Sequence, residues 1–419
     1  MFRFTDLIIF RMTRDCNLNC KYCFMQNKEE FKNERIDFEL FKRIINRITE
    51  QRIINNKQKD NLSLVFHGGE ALILGKEKLY RIFEYATNVF LANNITYSLA
   101  LQTNATLIDD EMAKILSKFE INLGLSFDGI DGSNNERTSI KQEIFESKFD
   151  ILEQNKCKMG FLIVANKSNV DKIGESRKYL ESITKSFKIN YAEDMINPGI
   201  DSEIELSGEE MFNKVWKPEL DRFLNESIEL EYHADQLLQK SLIDILTHHD
   251  KTAKSGCGTK YCGAGITMIA VEPDGEMDYC DRYSKKFPEV YVQHALDYDF
   301  LGIHQLNKVI KYNKMKYDLY KKYGCNTCYA DYICDHGCES FYYSKYNQYG
   351  IETRIICDQH KMFYDYVLKN LSRFLEKFEF ISSGDVIFKV KDRMLQYLSD
   401  YTISVNNNIE LQIRRKNND

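Results

Sequence analysis

Before residue 192, six short apolar runs alternate with five longer stretches whose apolar residues recur at helical spacing. The runs are Leu7–Met12, Leu62–Phe66, Tyr97–Leu101, Leu123–Phe127, Met159–Val164 and Phe187–Tyr191. After the first, the spacing predicts a helix from about Asp37, with Phe38, Phe41, Ile44, Ile45 and Ile48 on one face and Asp37 as N-cap. The next helix carries Leu79, Ile82, Phe83, Ala86 and Phe90, and further helices are expected near 108–119, 142–155 and 170–184. Alternation of this kind implies parallel strands joined by crossover helices. Six units predict an α/β fold, a partial (β/α)6 barrel of the TIM type, whose sites gather at the C-terminal ends of the strands.

The first four strands each run into a polar cluster. These are Asp15-Cys16-Asn17-Leu18-Asn19-Cys20-Lys21-Tyr22-Cys23, His67-Gly68-Gly69-Glu70, Gln102-Thr103-Asn104 and Ser126-Phe127-Asp128-Gly129. Three cysteines at CxxxCxxC spacing can bind three irons of a four-iron cluster and leave the fourth iron open. A partial zinc site is the alternative. Gly68 and Gly69 form either a plain turn or a close backbone approach to a ligand, with Glu70 offering a carboxylate. Ser126 and Asp128 can cap the turn that follows them.

Composition narrows the function. Hydrophobic residues make up 43% of the 419 and charged residues 29%, which suits a large buried core. The net charge is −6 with Lys and Arg dispersed, which argues against a nucleic-acid-binding surface. No apolar run reaches membrane-spanning length and no signal-peptide pattern opens the chain. Twelve cysteines then point to metal rather than disulfides, and to a reducing cytoplasm.

Residues 201–255 read as a helical bridge, Glu209–Glu226 around Trp216 and then Tyr232–His249. His248 and His249 lack partner spacing for a metal and read better as a solvated helix end. From Cys257 the composition changes. Cys257, Cys262 and Cys280 are followed by Cys325, Cys328, Cys334 and Cys338, then Cys357. Ile266–Val271 and Glu276–Tyr279 predict a hairpin about Pro273-Asp274-Gly275. A zinc ribbon is one reading of such a field. Eight cysteines without suitably spaced His fit two four-cysteine iron–sulfur clusters better. Cys157 remains as a core thiol.

CxxxCxxC, Gly-Gly-Glu, Ser-x-Asp-Gly and this cysteine field together resemble radical S-adenosylmethionine (SAM) enzymes with a SPASM domain, over roughly residues 5–365. The resemblance implies a barrel at 1–200, a bridge at 201–255, a SPASM domain at 256–365 and a C-terminal helix and tail at 366–419. It implies that Cys16, Cys20 and Cys23 hold a [4Fe-4S] cluster whose open iron is chelated by SAM. Glu70 would lie near the SAM amino group, Ser126 near its ribose and carboxylate, and Ile196 beside the adenine. Gly68, Gly69 and Asn104 complete that surround. Arg137 would pair with the SAM carboxylate or stand solvated, and Tyr22 would touch the adenine side or shield the cluster. Cys257, Cys262, Cys280 and Cys338 would hold one closed auxiliary cluster, and Cys325, Cys328, Cys334 and Cys357 another, making three [4Fe-4S] clusters.

Asp281, directly after Cys280, resembles the catalytic aspartate of anaerobic sulfatase-maturing enzymes. It would act as general base, or simply accept local backbone hydrogen bonds, and Arg282 would keep it ionised. Two positions depart from that group: His67 replaces the usual Gln before Gly-Gly-Glu, and Met25 replaces a Tyr. Histidine there is common among maturases of ribosomally made peptides, so His67 would face the substrate or hydrogen-bond within the barrel mouth. The expected activity is crosslinking of a precursor peptide at an unactivated carbon with net two-electron oxidation. The alternatives are formylglycine formation on a sulfatase, peptide epimerisation, or a non-catalytic iron–sulfur electron carrier. Fifteen residues precede Cys16, so leader capture is expected of a separate protein, the bridge or the tail. A flavodoxin- or ferredoxin-type electron donor is expected, with no nucleic-acid or membrane partner. In the tail, Val367, Leu371, Phe374 and Leu375 predict a helix face, and Val386–Val390 and Ile409–Ile413 short strands that could receive a peptide edge-on.

Overall fold

The computed structural model describes residues 5–23, 25, 33–130, 133, 142–183, 187–192, 202–226, 263–265, 267–282, 291–298, 318, 320–328, 338, 355–374 and 376. The expectations for Arg137, Ile196, His248, His249, Cys257, Cys262, Cys334, Leu375 and the tail strands lie outside these residues.

All six expected strands form: β1 (Leu7–Arg11), β2 (Leu62–His67), β3 (Tyr97–Thr103), β4 (Asn122–Ser126), β5 (Met159–Ala165) and β6 (Phe187–Tyr191). Each pairs in parallel with the next. The helices between them are α1 (Phe38–Ile54), α2 (Lys76–Ala92), α3 (Asp110–Lys118), α4 (Gln142–Gln154) and α5 (Ile173–Ile183). Asp37 caps α1 as expected, its carboxylate accepting from the N–H groups of Glu39 and Leu40 at 2.9 and 3.0 Å. Such a cap contributes about 1 kcal/mol. Asp109 caps α3 in the same way, accepting from Met112 N–H at 2.9 Å.

Strand alternation sorts the two faces of the sheet. Leu62, Leu64 and Phe66 of β2 are buried beneath the helices, whereas Ser63, Val65 and His67 on the opposite face are only half-buried. Aromatic rings fill the helix-side layer, with Phe10 on Phe41 at 5.3 Å and Phe66 on Phe83 at 5.0 Å. Burying each such ring contributes about 1.5–3 kcal/mol.

The parallel sheet does not stop at six strands. β7 (Met268–Val271) lies beside β1 and parallel to it, with Leu7 opposite Met268 and Phe10 opposite Val271. β8 (Glu276–Asp278) and β9 (Tyr291–His294) follow antiparallel, giving the order β6-β5-β4-β3-β2-β1-β7-β8-β9. The predicted hairpin is therefore present as β7 and β8, and it extends the barrel sheet. The physical reason is edge satisfaction: β1 is buried and would otherwise present unpaired backbone groups on that side. The consequence is that Cys280 and Asp281, at the end of β8, stand next to the strand that feeds the first cysteine loop.

The bridge begins with α6 (Gly208–Glu210), passes through a π-helical stretch at Met211–Trp216, and continues as α7 (Lys217–Asn225). Ser207 and Glu210 form a capping box at its start. It packs on α8 (Ile355–Lys369), with Trp216 against Phe363 at 5.1 Å and stacked on His360 at 5.7 Å. Val367, Leu371 and Phe374 are buried, as their spacing predicted. Among the described residues no helix is long and apolar enough to cross a membrane.

Candidate functional site

The first cysteine loop leaves β1 at Met12 and is tied at its root. Thr13 donates to the Glu34 carbonyl at 2.8 Å, and Arg35 reaches the Asp15 carboxylate at 3.2 Å. Within the loop, Cys23 N–H donates to the Cys20 carbonyl at 3.2 Å, and Leu18 N–H points at Cys16 Sγ at 3.4 Å. Cys16, Cys20 and Cys23 are half-buried thiols free of disulfides. Among the described residues, no three His, Cys, Asp or Glu side chains converge as the ligands of one ion would.

Gly68 and Gly69 explain how β2 reaches this loop. Gly69 N–H donates to the Thr13 carbonyl at 2.8 Å, and Glu70 N–H to the Asp15 carbonyl at 2.7 Å. A Cβ on Gly69 would sit 2.1 Å from the Asp15 carbonyl oxygen, and Gly68 adopts φ +137° with the Thr13 oxygen 2.2 Å from any Cβ. Backbone, not a flexible side chain, occupies both places. Gly69→Ala should therefore cost about 1–3 kcal/mol through overpacking. Thermal melting is expected to show a transition lowered by several degrees, with less iron retained after anoxic reconstitution.

Glu70 is 1% exposed, and its carboxylate is engaged by the chain itself. It accepts from Leu72 N–H at 3.0 Å, the Thr103 hydroxyl at 2.8 Å and Asn104 N–H at 2.7 Å. It thus knits the ends of β2 and β3 together. Asn104 carries the chain of contacts onward, its amide donating to Asn17 Oδ1 at 2.9 Å and lying 3.9 Å from Cys16 Sγ. Ser126 accepts from Gln102 Nε2 at 2.9 Å. The Tyr22 hydroxyl donates to the Asp128 carboxylate, which also accepts from Val164 N–H at 3.0 Å. Gln102 and Thr103 were visible only as part of a polar strand end; nothing local marks their partners.

His67 ends β2 in register with Arg11. Its Nδ1 accepts from Gly68 N–H at 2.8 Å, which assigns the proton of the neutral ring to Nε2. Burial lowers its pKa below the ordinary 6.5; Asp281 pulls the other way, and Arg11 and Arg282 reinforce the depression. Above pH 6.5 the folded and unfolded imidazoles are both neutral and stability is full. As pH falls below that value, the unfolded chain takes up a proton that the folded one resists, and stability drops. Melting curves between about pH 5 and 7.5 should show this loss, and His67→Gln should flatten it.

On the neighbouring strand β1, Arg11 pairs with Glu272 and donates to the main-chain carbonyl of Asp281. Arg14 takes the other Glu272 oxygen at 2.8 Å. Buried Cys280 receives Arg282 N–H on its sulfur at 3.4 Å. Cys325 opens a 3-10 turn, Cys325–Thr327, and Cys328 N–H closes it on the Cys325 carbonyl at 3.0 Å. Cys338 and Cys357 are half-buried and free of disulfides. Cys157 stands apart: it donates to the Ala113 carbonyl at 3.4 Å at the opposite end of the strands, and burial pushes its thiol pKa up. That is the behaviour of a core thiol.

A family profile described as the Radical SAM superfamily matches residues 10–180. The Cysteine-type anaerobic sulfatase-maturating enzyme of Clostridium perfringens (strain 13 / Type A) is 24% identical over 384 residues, 87% of this chain and 97% of that one. The Radical SAM cyclopropyl synthase TigE of Paramaledivibacter caminithermalis (strain DSM 15212 / CIP 107654 / DViRD3) is 24% identical, covering 84% of this chain and 71% of its own. Among solved structures, native anSMEcpe with bound AdoMet superposes with a TM-score of 0.73 at 22% identity, over 87% of this chain and 97% of that one. Streptococcus suis SuiB superposes with a TM-score of 0.53 at 17% identity, over 80% of this chain and 73% of its own. At these identities the structures speak for the shared fold.

Proposed function

This chain is a radical SAM protein, with its domain at residues 10–180, and from that premise we propose that it oxidises a peptide or protein side chain by two electrons. The observation that supports this reading is the parallel pairing of β7 with β1, by which Arg11, in register with His67, meets the Asp281 carbonyl at the end of the strand that leads to the cysteine loop. When bound, SAM and the cluster held by Cys16, Cys20 and Cys23 supply one-electron cleavage of the sulfonium and abstraction of a hydrogen atom from substrate carbon. Asp281 would take the proton lost from the substrate, and an auxiliary cluster, if held by the second cysteine field, would supply the acceptor for the second electron. In a thioether crosslink, a C–H and an S–H bond are replaced by C–S; the hydrogen atom, the proton and the electron account for everything removed.

Gly68, Gly69, Glu70, Asn104, Ser126 and Tyr22 are proposed to surround SAM, with Arg137 and Ile196 proposed for its carboxylate and adenine. Cys257, Cys262, Cys280 and Cys338, and Cys325, Cys328, Cys334 and Cys357, are proposed as the two auxiliary ligand sets. The substrate we favour is a ribosomally made precursor peptide. His67 and Met25 support it, since both depart from the sulfatase-maturing pattern. The second reading, formylglycine formation on a sulfatase, is favoured by the likeness that spans 97% of the Clostridium perfringens enzyme.

Co-expression with a candidate precursor peptide, should one be encoded beside this gene, and separately with a sulfatase, followed by mass spectrometry, tests the choice. A peptide lighter by two hydrogens supports crosslinking. An aldehyde formed from Cys or Ser in a co-expressed sulfatase supports the second reading. Reconstituted protein that yields no 5′-deoxyadenosine with dithionite and SAM would sink both.

A further inference from the structure

Arg11, Glu272 and Arg14 form a buried chain of charges across the β1–β7 junction, at the end of the strand leading to the first cysteine loop. Arg11 is 1% exposed, and its guanidinium meets both the Glu272 carboxylate and the main-chain carbonyl of Asp281. Arg14 holds the second Glu272 oxygen at 2.8 and 3.1 Å, so the carboxylate is gripped from both sides. Glu272 itself is fixed by the turn into β8, its N–H donating to the Glu276 carbonyl at 2.7 Å. Asp278 lies 3.8 Å from Arg11, and burial pushes its carboxyl pKa up to about 8, so it keeps a proton at neutral pH and leaves Glu272 as the anion that Arg11 and Arg14 share.

Stability does not account for such an arrangement. Buried Arg–Glu–Arg groups lose in desolvation much of what they gain in attraction, and apolar replacements of similar volume often serve a fold better. What a guanidinium offers that an apolar side chain does not is a rigid fork able to bind two acceptors in one fixed geometry. Here the two acceptors are a carboxylate locked in its turn and the backbone of the residue proposed as base.

We infer that Arg11 is a positioning residue, which holds the Asp281 backbone at a fixed place in the barrel mouth with Glu272 and Arg14 as its anchor. The inference rests on the proposed role of Asp281, but its geometry is testable without substrate. Hydrogen–deuterium exchange is measured by mass spectrometry on full-length, anoxically reconstituted wild-type, Arg11→Gln and Arg14→Gln proteins. Arg11→Gln leaves Glu272 paired with Arg14 and severs the tie to Asp281; exchange over residues 276–282 should rise about tenfold while α1 and α2 stay unchanged. Arg14→Gln spares that tie and should leave the segment within about twofold of wild type. SAM cleavage by dithionite-reduced protein without peptide should persist in both.

Unchanged exchange at 276–282 in Arg11→Gln overturns the inference. So does equal loosening by Arg14→Gln, or loosening that spreads through the sheet, since either marks general structural support. The base role stands or falls separately. Asp281→Asn protein that still oxidises substrate would remove that role while leaving the Arg11 geometry intact.

Discussion

Cys20→Ala protein, reconstituted with iron and sulfide and reduced by dithionite, is expected to form no detectable 5′-deoxyadenosine from SAM. Three thiolates are the minimum that leaves one iron open while holding the cluster, and Cys20 is the middle ligand of the proposed set. Its main-chain carbonyl already organises the loop by accepting from Cys23 N–H at 3.2 Å, a contact that alanine preserves. The variant should therefore fold and lose chemistry through the missing sulfur alone. Iron analysis should register a loss of about four atoms per chain, with the remainder held elsewhere. Cys157→Ala is the matched control. Its sulfur sits at the far end of the strands with one hydrogen bond, to Ala113, so the change should cost about 1 kcal/mol or less and leave SAM cleavage intact. Undiminished 5′-deoxyadenosine in Cys20→Ala would remove the cluster from this loop.

Asp281→Asn should separate the two halves of the reaction. Asparagine keeps the shape and the main-chain carbonyl that Arg11 grips, so the local fold should persist. It cannot take a proton. 5′-Deoxyadenosine should still form, while oxidised product falls by about 10²–10⁴-fold, the usual contribution of a positioned general base. Quantifying both products in the same reaction gives the test. If product falls only as far as 5′-deoxyadenosine does, Asp281 supports the structure and another group takes the proton.

Much of this could be read from local sequence because the forces involved are local. The alternation of Leu62, Leu64 and Phe66 with Ser63, Val65 and His67 set both the existence and the sidedness of β2. Asp37 marked a helix start because its carboxylate is the right length to meet two N–H groups in the next turn. Glu70 was less legible. Its carboxylate accepts from Leu72, Thr103 and Asn104, and nothing in Gly-Gly-Glu itself reveals donors on another strand. Tyr22 was placed near the adenine or the cluster, and its hydroxyl meets Asp128, 106 residues away. Such pairs depend on where strands end relative to one another, a property of the assembled sheet.

By itself, then, the chain's order of residues determined six strand–helix units, the loop that carries three cysteines at the end of the first, and the short hairpin around Pro273-Asp274-Gly275. Periodicity, capping and ligand spacing all act within a few turns of backbone, so they survive in one dimension. Only the tertiary structure decided that the hairpin would join β1 and bring Arg11 to Glu272 across 261 residues. Backbone hydrogen bonds between distant strands are the same for nearly any side chain. Their choice of partner follows from which buried edge is left unpaired once the rest of the sheet has formed.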